Sequence, residues 1–258
     1  MGWIRLFFDI AVIGEQINSI QDGCSVEIIA QSDVNDAELR NEQNSASITG
    51  IWAVALTAAC EEKAHDLVVL SFVDQTRVLN LQANLEDISE VSKFVQAEAT
   101  VFSGRLADSI VVQVCPSRVN LVSYSSKSEG LASASSGMIQ GRWNYEWQPR
   151  DVDHSGSEAT ISTAIIEDEY LALVTRRRIL LLVLRRGATD ERPELGCISS
   201  FSFDANVEIS TMGMFKCDIM SSTWYTPERL AFCVGTYHPS LEIVTFNPET
   251  EGFVHCGR

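Results

Sequence analysis

Short apolar runs separated by brief polar turns recur from one end of the chain to the other. The clearest unit spans Asp66 to Leu81, DLVVLSFVDQTRVLNL, with a polar turn at Asp74 and Gln75 between two apolar runs. Consecutive apolar positions in the first run are typical of a strand that is buried on both faces. Because helical periodicity is scarce along the chain, the unit predicts a β-hairpin.

The same paired unit occurs three more times along the chain. The copies are SIVVQVCPSRVNLVSY (Ser109 to Tyr124), EYLALVTRRRILLLVL (Glu169 to Leu184) and RLAFCVGTYHPSLEIVTF (Arg229 to Phe246). The four units begin about 40 to 60 residues apart, close to the blade length of a β-propeller with the excess taken up in loops. We therefore predict an all-β fold of WD40-like β-propeller blades with almost no helix. Each unit would supply the second and third strands of a blade, next to a more polar outer strand.

The charge balance and the cysteines restrict the environment of this fold. Nineteen Lys and Arg stand against 35 Asp and Glu, a formal charge of −16, which argues against a broad phosphate-neutralising surface. No apolar run approaches the roughly 18 to 20 residues of a membrane span, so we expect no membrane partner and no signal peptide. The seven cysteines are scattered singly, and most lie in apolar runs. This pattern favours buried, reduced thiols in an intracellular compartment.

Motifs that would indicate catalysis or a bound cofactor are missing from the sequence. There is no G-x-S-x-G elbow, no phosphate-binding glycine loop, and no pair of Cys or His residues at the close spacing that zinc sites use. His255 and Cys256 are adjacent and so would point to opposite faces of a strand; we interpret them as a frayed chain end. The sequence thus predicts no enzyme, no cofactor and no metal.

One basic cluster interrupts the acidic background. Five of the nineteen basic residues flank the apolar run Ile179 to Leu184, and they are Arg176, Arg177, Arg178, Arg185 and Arg186. The arginines either cap a buried strand and pair with internal carboxylates, or form a docking patch for an acidic protein segment or RNA. Guanidinium groups suit carboxylates and phosphates alike, so the residue type leaves both roles open.

Three aromatic residues form a second candidate surface. Trp143, Tyr145 and Trp147 alternate, so that all three would lie on one face of a strand. Such a stripe serves either as packing between blades or as a platform on which nucleic-acid bases stack. Together with the arginines, it defines the alternative function of a nucleic-acid-contacting module.

The first hairpin also resembles a known family in specific residues. Its hallmark is an apolar strand ending in Ser-Phe-Val, a short turn, and then Thr-x-Val-Leu, matched here by Ser71, Phe72, Val73, Thr76, Val78 and Leu79. GIWAVAL (Gly50 to Leu56) and the segment Phe94 to Ser123 extend the match on either side. The chain thus resembles the large β-propeller scaffolds that include the large subunit of the damage-specific DNA-binding protein, the A subunit of the cleavage and polyadenylation specificity factor, and subunit 3 of splicing factor 3b.

The resemblance implies both an architecture and a role. Members are very large proteins with several propellers, so it implies an incomplete propeller here. Residues 1–82 would close a first propeller and residues 83–258 would begin a second. It also implies a non-enzymatic protein-interaction scaffold in nuclear complexes for ubiquitin ligation in DNA repair, for mRNA 3′-end processing or for splicing. The implied partners are other protein subunits, including a cullin-type ligase, with any nucleic-acid contact indirect.

Overall fold

The computed structural model describes most of the chain after residue 47 and two short segments before it. The described residues are 17–20, 25–28, 48–56, 66–81, 86–107, 110–124, 139, 141–149, 160–186, 193–204, 206–217, 229–238 and 240–257. The chain divides into two units, residues 1–46 and 47–258. In the first unit, β1 (Ile17–Ile20) and β2 (Ser25–Ile28) form an antiparallel hairpin.

The described residues of the second unit form four antiparallel sheets of four strands each. The first sheet contains β3 (Ile48–Val54), β4 (Leu67–Phe72), β5 (Thr76–Asn80) and β6 (Glu86–Asp87). The second contains β7 (Phe102–Ala107), β8 (Ile110–Val114), β9 (Val119–Tyr124) and β10 (Gly141–Trp147). The third contains β11 (Ile161–Glu167), β12 (Tyr170–Thr175), β13 (Arg178–Arg186) and β14 (Pro193–Ser202). The fourth contains β15 (Ile209–Cys217), β16 (Arg229–Thr236), β17 (Leu241–Asn247) and β18 (Gly252–Gly257).

The four predicted hairpins are confirmed as the middle strands of the four sheets. They are β4 with β5, β8 with β9, β12 with β13, and β16 with β17. The runs of the two middle sheets are the most continuously buried, because a sheet covers each of their faces, whereas β5 and β17 alternate between buried and more exposed positions. The outer strands are more exposed, as expected: both residues of β6 are exposed, and so are three of the six in β18. The predicted boundary between residues 82 and 83 lies between β5 and β6 of the first sheet.

Consecutive sheets stack face to face, with their first strands side by side. The first strands β3, β7, β11 and β15 are neighbours in that order. Radial repetition of four-stranded meanders around their first strands is the arrangement of propeller blades. The described residues include no α-helix, which confirms the all-β prediction, and none of them forms a helix able to span a membrane.

Alternation along the inner strands distributes their side chains between two cores. In β12, Leu171 and Leu173 pack toward the second sheet, whereas Ala172 and Val174 pack toward the fourth. All four side chains are fully buried. A third core, which includes Val69 of β4, fills the space between the first and second sheets. Each middle sheet therefore buries both faces, and neighbouring blades depend on each other for stability.

Buried polar side chains hold the connection between the first and second sheets. Gln113 of β8 is fully buried and binds the backbone of Val95 twice: its Nε2 donates to the carbonyl at 2.9 Å, and its Oε1 accepts from the N–H at 2.8 Å. The same Nε2 donates to Thr100 Oγ1 at 3.0 Å, and Thr100 Oγ1 lies 2.8 Å from Thr76 Oγ1 in β5. Side chains of both sheets thus satisfy the polar groups of the segment that joins them.

Replacing Phe232 by alanine tests the packing between the third and fourth sheets. Phe232 is fully buried, so Phe232→Ala should lower the free energy of unfolding by about 3 to 5 kcal/mol, measured by urea denaturation. Phe215 lies in the same sheet with 44% of its surface exposed, so Phe215→Ala is the matched control and should cost less than about 1 kcal/mol. Equal losses in the two variants would contradict this packing.

The variant Gln113→Leu tests the polar connection. It should destabilise the fold by about 2 to 4 kcal/mol, because the N–H and C=O of the half-buried Val95 lose their partners while the side-chain volume is kept. Gln75→Leu is the control, since Gln75 lies in a turn and its side chain hydrogen-bonds no described residue; it should change stability by no more than about 0.5 kcal/mol. A loss below about 0.5 kcal/mol in Gln113→Leu would show that the connection is not held in this way.

Candidate interaction surface

The structure separates the five arginines into two groups at opposite ends of β13. Arg176 and Arg177 form the turn between β12 and β13, and Arg178 is the first residue of β13. Arg185 and Arg186 are its last two residues, opposite Glu194 and Pro193 of β14. A nine-residue strand is about 25 Å long, so the two groups cannot act as one patch.

The turn at Arg176 and Arg177 is bound to the segment that joins the third and fourth sheets. The carbonyl of Arg177 accepts from the N–H of Phe203 at 2.9 Å, and the carbonyl of Arg176 accepts from the N–H of Ile209 at 2.9 Å. Arg176 has a φ of 52°, in the left-handed region that single turn residues adopt at a cost. The backbone position of both arginines is therefore set by contacts between sheets.

Glu208 connects this turn to the turn between β16 and β17. Its Oε1 lies 2.8 Å from Arg176 Nε, and its carbonyl accepts from the N–H of Tyr237 at 3.0 Å. Tyr237 is 74% exposed, and Arg177 is exposed and pairs with no described side chain. We call Arg176, Arg177, Glu208 and Tyr237 the turn patch.

The remaining arginines of the cluster contact their own sheet. Arg178 is half-buried, and its Nε donates to Ser202 Oγ at 3.1 Å across the β13–β14 pair. Arg185 is exposed and lies across Gly196, where a Cβ atom would fall 2.6 Å from Arg185 Nε. The pairs Arg176–Glu208 and Arg178–Ser202 agree with the capping role, and a partner-binding role of the cluster stays a prediction.

The aromatic stripe packs between sheets. Trp147 is 4% exposed and belongs to the core between the second and third sheets, and Trp143 and Tyr145 are half-buried against that core. All three lie on one face of β10, as predicted. Rings that are covered in this way have little surface left for stacking with a base.

Arg118, which lies beside the second sheet, is engaged by two carboxylates. Arg118 follows the turn between β8 and β9; its guanidinium lies 2.6 Å from Glu98 and 3.0 Å from Glu146. The Gln148 amide and the Arg118 guanidinium hold the pKa of Glu146 below its usual range. A carboxyl with a lowered pKa stabilises the folded state at neutral pH, and the contribution is lost as acid protonates it. We assign this group a structural role.

Comparison with known families shows which family has this architecture. A family model for the RSE1/DDB1/CPSF1 second beta-propeller matches residues 38–257. The chain belongs to this family. The match covers all four four-stranded sheets of the described residues, β3 to β18. The matched range spans the predicted boundary between residues 82 and 83, and the division into two propellers at that point stays a prediction.

A buried carboxylate in the last blade of this family domain was not predicted from the sequence. Glu242 of β17 is 1% exposed; His255 Nε2 lies 2.9 Å from its Oε2, and Ser240 Oγ donates to its Oε1 at 3.0 Å. The interpretation of His255 and Cys256 as a frayed chain end is therefore wrong, because both lie in β18, which pairs with β17. A charged residue inside the apolar run SLEIVTF was the signal that could have revealed the pair.

A cleft of about 510 Å³ lies beside β5 and β6 of the first blade. Its lining mixes one guanidinium with three carboxylates, and these residues are Arg77, Glu86, Asp87 and Glu90. Asp87 is engaged locally, since its Oδ1 accepts from both the N–H and the hydroxyl of Ser89. The cleft has no consistent charge that would select one class of ligand.

Alkylation should distinguish two cysteines of this domain. Burial raises the pKa of the Cys115 thiol to about 12, and the nearby Glu98 carboxylate adds to the effect. At pH 8 only about one Cys115 in ten thousand is then a thiolate, the reactive form. Iodoacetamide should therefore modify the exposed Cys256 and spare Cys115, as read by mass spectrometry of peptides. Denatured protein, in which both should react, is the control; equal labelling of the folded protein would contradict the burial of Cys115.

Proposed function

We propose that this chain is a non-enzymatic protein-interaction scaffold of a nuclear multi-subunit complex. The observation that carries the proposal is the match of residues 38–257 to the second propeller of the RSE1/DDB1/CPSF1 family. The complex is one for ubiquitin ligation in DNA repair, for mRNA 3′-end processing or for splicing. Its partners are other protein subunits, such as a cullin-type ligase.

The geometry of polar side chains supports a role without catalysis. In the one described group that brings a Ser, a His and a carboxylate together, Ser240 Oγ binds Glu242, and the imidazole of His255 binds the other oxygen of the same carboxylate. A nucleophilic hydroxyl needs the imidazole as its base, so this order of contacts does not activate Ser240. Cys115 is a poor nucleophile because its raised pKa keeps the thiol protonated.

The alternative of a nucleic-acid-contacting module has weaker support. The aromatic stripe is packed against the core between two blades, and the arginines are divided between two ends of β13. A surface that binds nucleic acid needs several cations along one backbone path, because affinity grows with the number of phosphates neutralised. The formal charge of −16 works against such a path.

Sedimentation of the purified full chain with candidate partners tests the scaffold role. We expect the chain to co-sediment at micromolar concentration with a purified cullin-type ligase subunit or with a subunit of an RNA-processing complex. Phe232→Ala, which should destabilise the third and fourth blades, is the control and should reduce the amount of complex. Single-stranded nucleic acid immobilised on a resin should not retain the chain at physiological salt. Retention that falls steeply with salt, combined with no protein complex, would favour the alternative function.

A further inference from the structure

We propose that the turn patch, formed by Arg176, Arg177, Glu208 and Tyr237, docks an acidic segment of a partner protein. The inference rests on the proposed scaffold function and names one surface and one partner chemistry for it. The patch lies where two turns and the connection between the third and fourth blades meet. Nothing in the sequence pattern brought Tyr237 together with the arginines; the fold does so through Glu208.

The backbone of the patch is already ordered before any partner binds. Three hydrogen bonds of 2.9 to 3.0 Å tie the two turns to the connection, and they start from the N–H groups of Phe203, Ile209 and Tyr237. Binding then needs little ordering of the backbone, which is one of the main entropic costs of association. A rigid loop surface of this kind is suited to a short extended segment.

The patch exposes one guanidinium group and one aromatic ring. Arg177 is exposed and makes no ion pair with any described residue, and Tyr237 is 74% exposed. Arg and Tyr are enriched among the residues that dominate binding energy at protein interfaces. Glu208 is a positioning residue, because its carboxylate pairs with the Arg176 guanidinium while its carbonyl accepts from the N–H of Tyr237.

Charge selects the partner. Arg177, which has no described carboxylate partner, forms a local attraction for carboxylates in a chain of formal charge −16, while the rest of the molecule disfavours a long polyanion. Arg118 on the second blade does not extend the patch, since Glu98 and Glu146 already occupy its guanidinium. The exposed Tyr237 ring offers a contact for an apolar side chain, so the expected occupant is a protein segment that carries an apolar residue beside its carboxylates.

Fluorescence anisotropy with the full chain tests the proposal. The probe is a labelled peptide in which glutamate alternates with leucine; a lysine-for-glutamate peptide and a labelled oligothymidylate are the comparison ligands. We expect the glutamate peptide to bind, and its affinity to fall at least tenfold in Arg177→Glu and in Tyr237→Ser. The affinity of the unmodified chain should decrease as salt rises, because screening weakens the exposed contacts.

Arg185→Glu is the matched control, since Arg185 is an exposed arginine at the other end of β13. It should leave the affinity for the glutamate peptide within about twofold, because charges about 25 Å away are screened at physiological salt. Equal thermal midpoints would show that all three variants fold. The proposal is overturned if the glutamate peptide does not bind, if Arg177→Glu and Arg185→Glu weaken it equally, or if the oligothymidylate binds more tightly. If only the patch proposal fails, the chain should still co-sediment with protein subunits. If the scaffold role fails, that co-sedimentation should be lost as well.

Discussion

The need to bury both faces of each inner hairpin determines the architecture of this chain. Leu173 and Val174 are neighbours in β12, and each is fully buried in a different core. One sheet alone would leave one of these faces in water, so the hairpins of the two middle sheets require a sheet on either side. Stacking of four-stranded sheets with their first strands adjacent satisfies that requirement, and it is the repeat that the RSE1/DDB1/CPSF1 second-propeller family uses.

Stacking creates a second requirement, because the segments between sheets carry backbone groups that must also be satisfied. Between the first two blades, the buried amide of Gln113 satisfies the N–H and C=O of Val95. Between the last two, backbone carbonyls of the Arg176 turn accept from the connection directly. Burying polar backbone groups without partners is costly, so these contacts stabilise the order of the blades as well as their connections. The turn patch exists because one such junction lies at the surface.

Some arginines of this chain are paired with its own carboxylates, and another is exposed without a described partner. Arg118 is held by two carboxylates and Arg176 by one, whereas Arg177 has no described partner. An arginine that already has internal carboxylates gains less from a second molecule, because its first contacts would have to be replaced. The number of internal partners therefore separates structural arginines from a candidate docking residue within one acidic chain.

The sequence by itself determined the four hairpins, because strand pairing across a short turn depends on neighbouring residues whose apolar and polar pattern is visible in a linear reading. It also indicated that Trp143, Tyr145 and Trp147 share a face, since that follows from strand geometry alone. Only the tertiary structure decided that this face is covered, that Glu242 meets His255, and that Tyr237 adjoins Arg176 through Glu208. Those contacts join residues on different strands or different blades, and their partners are set by how the sheets pair and stack.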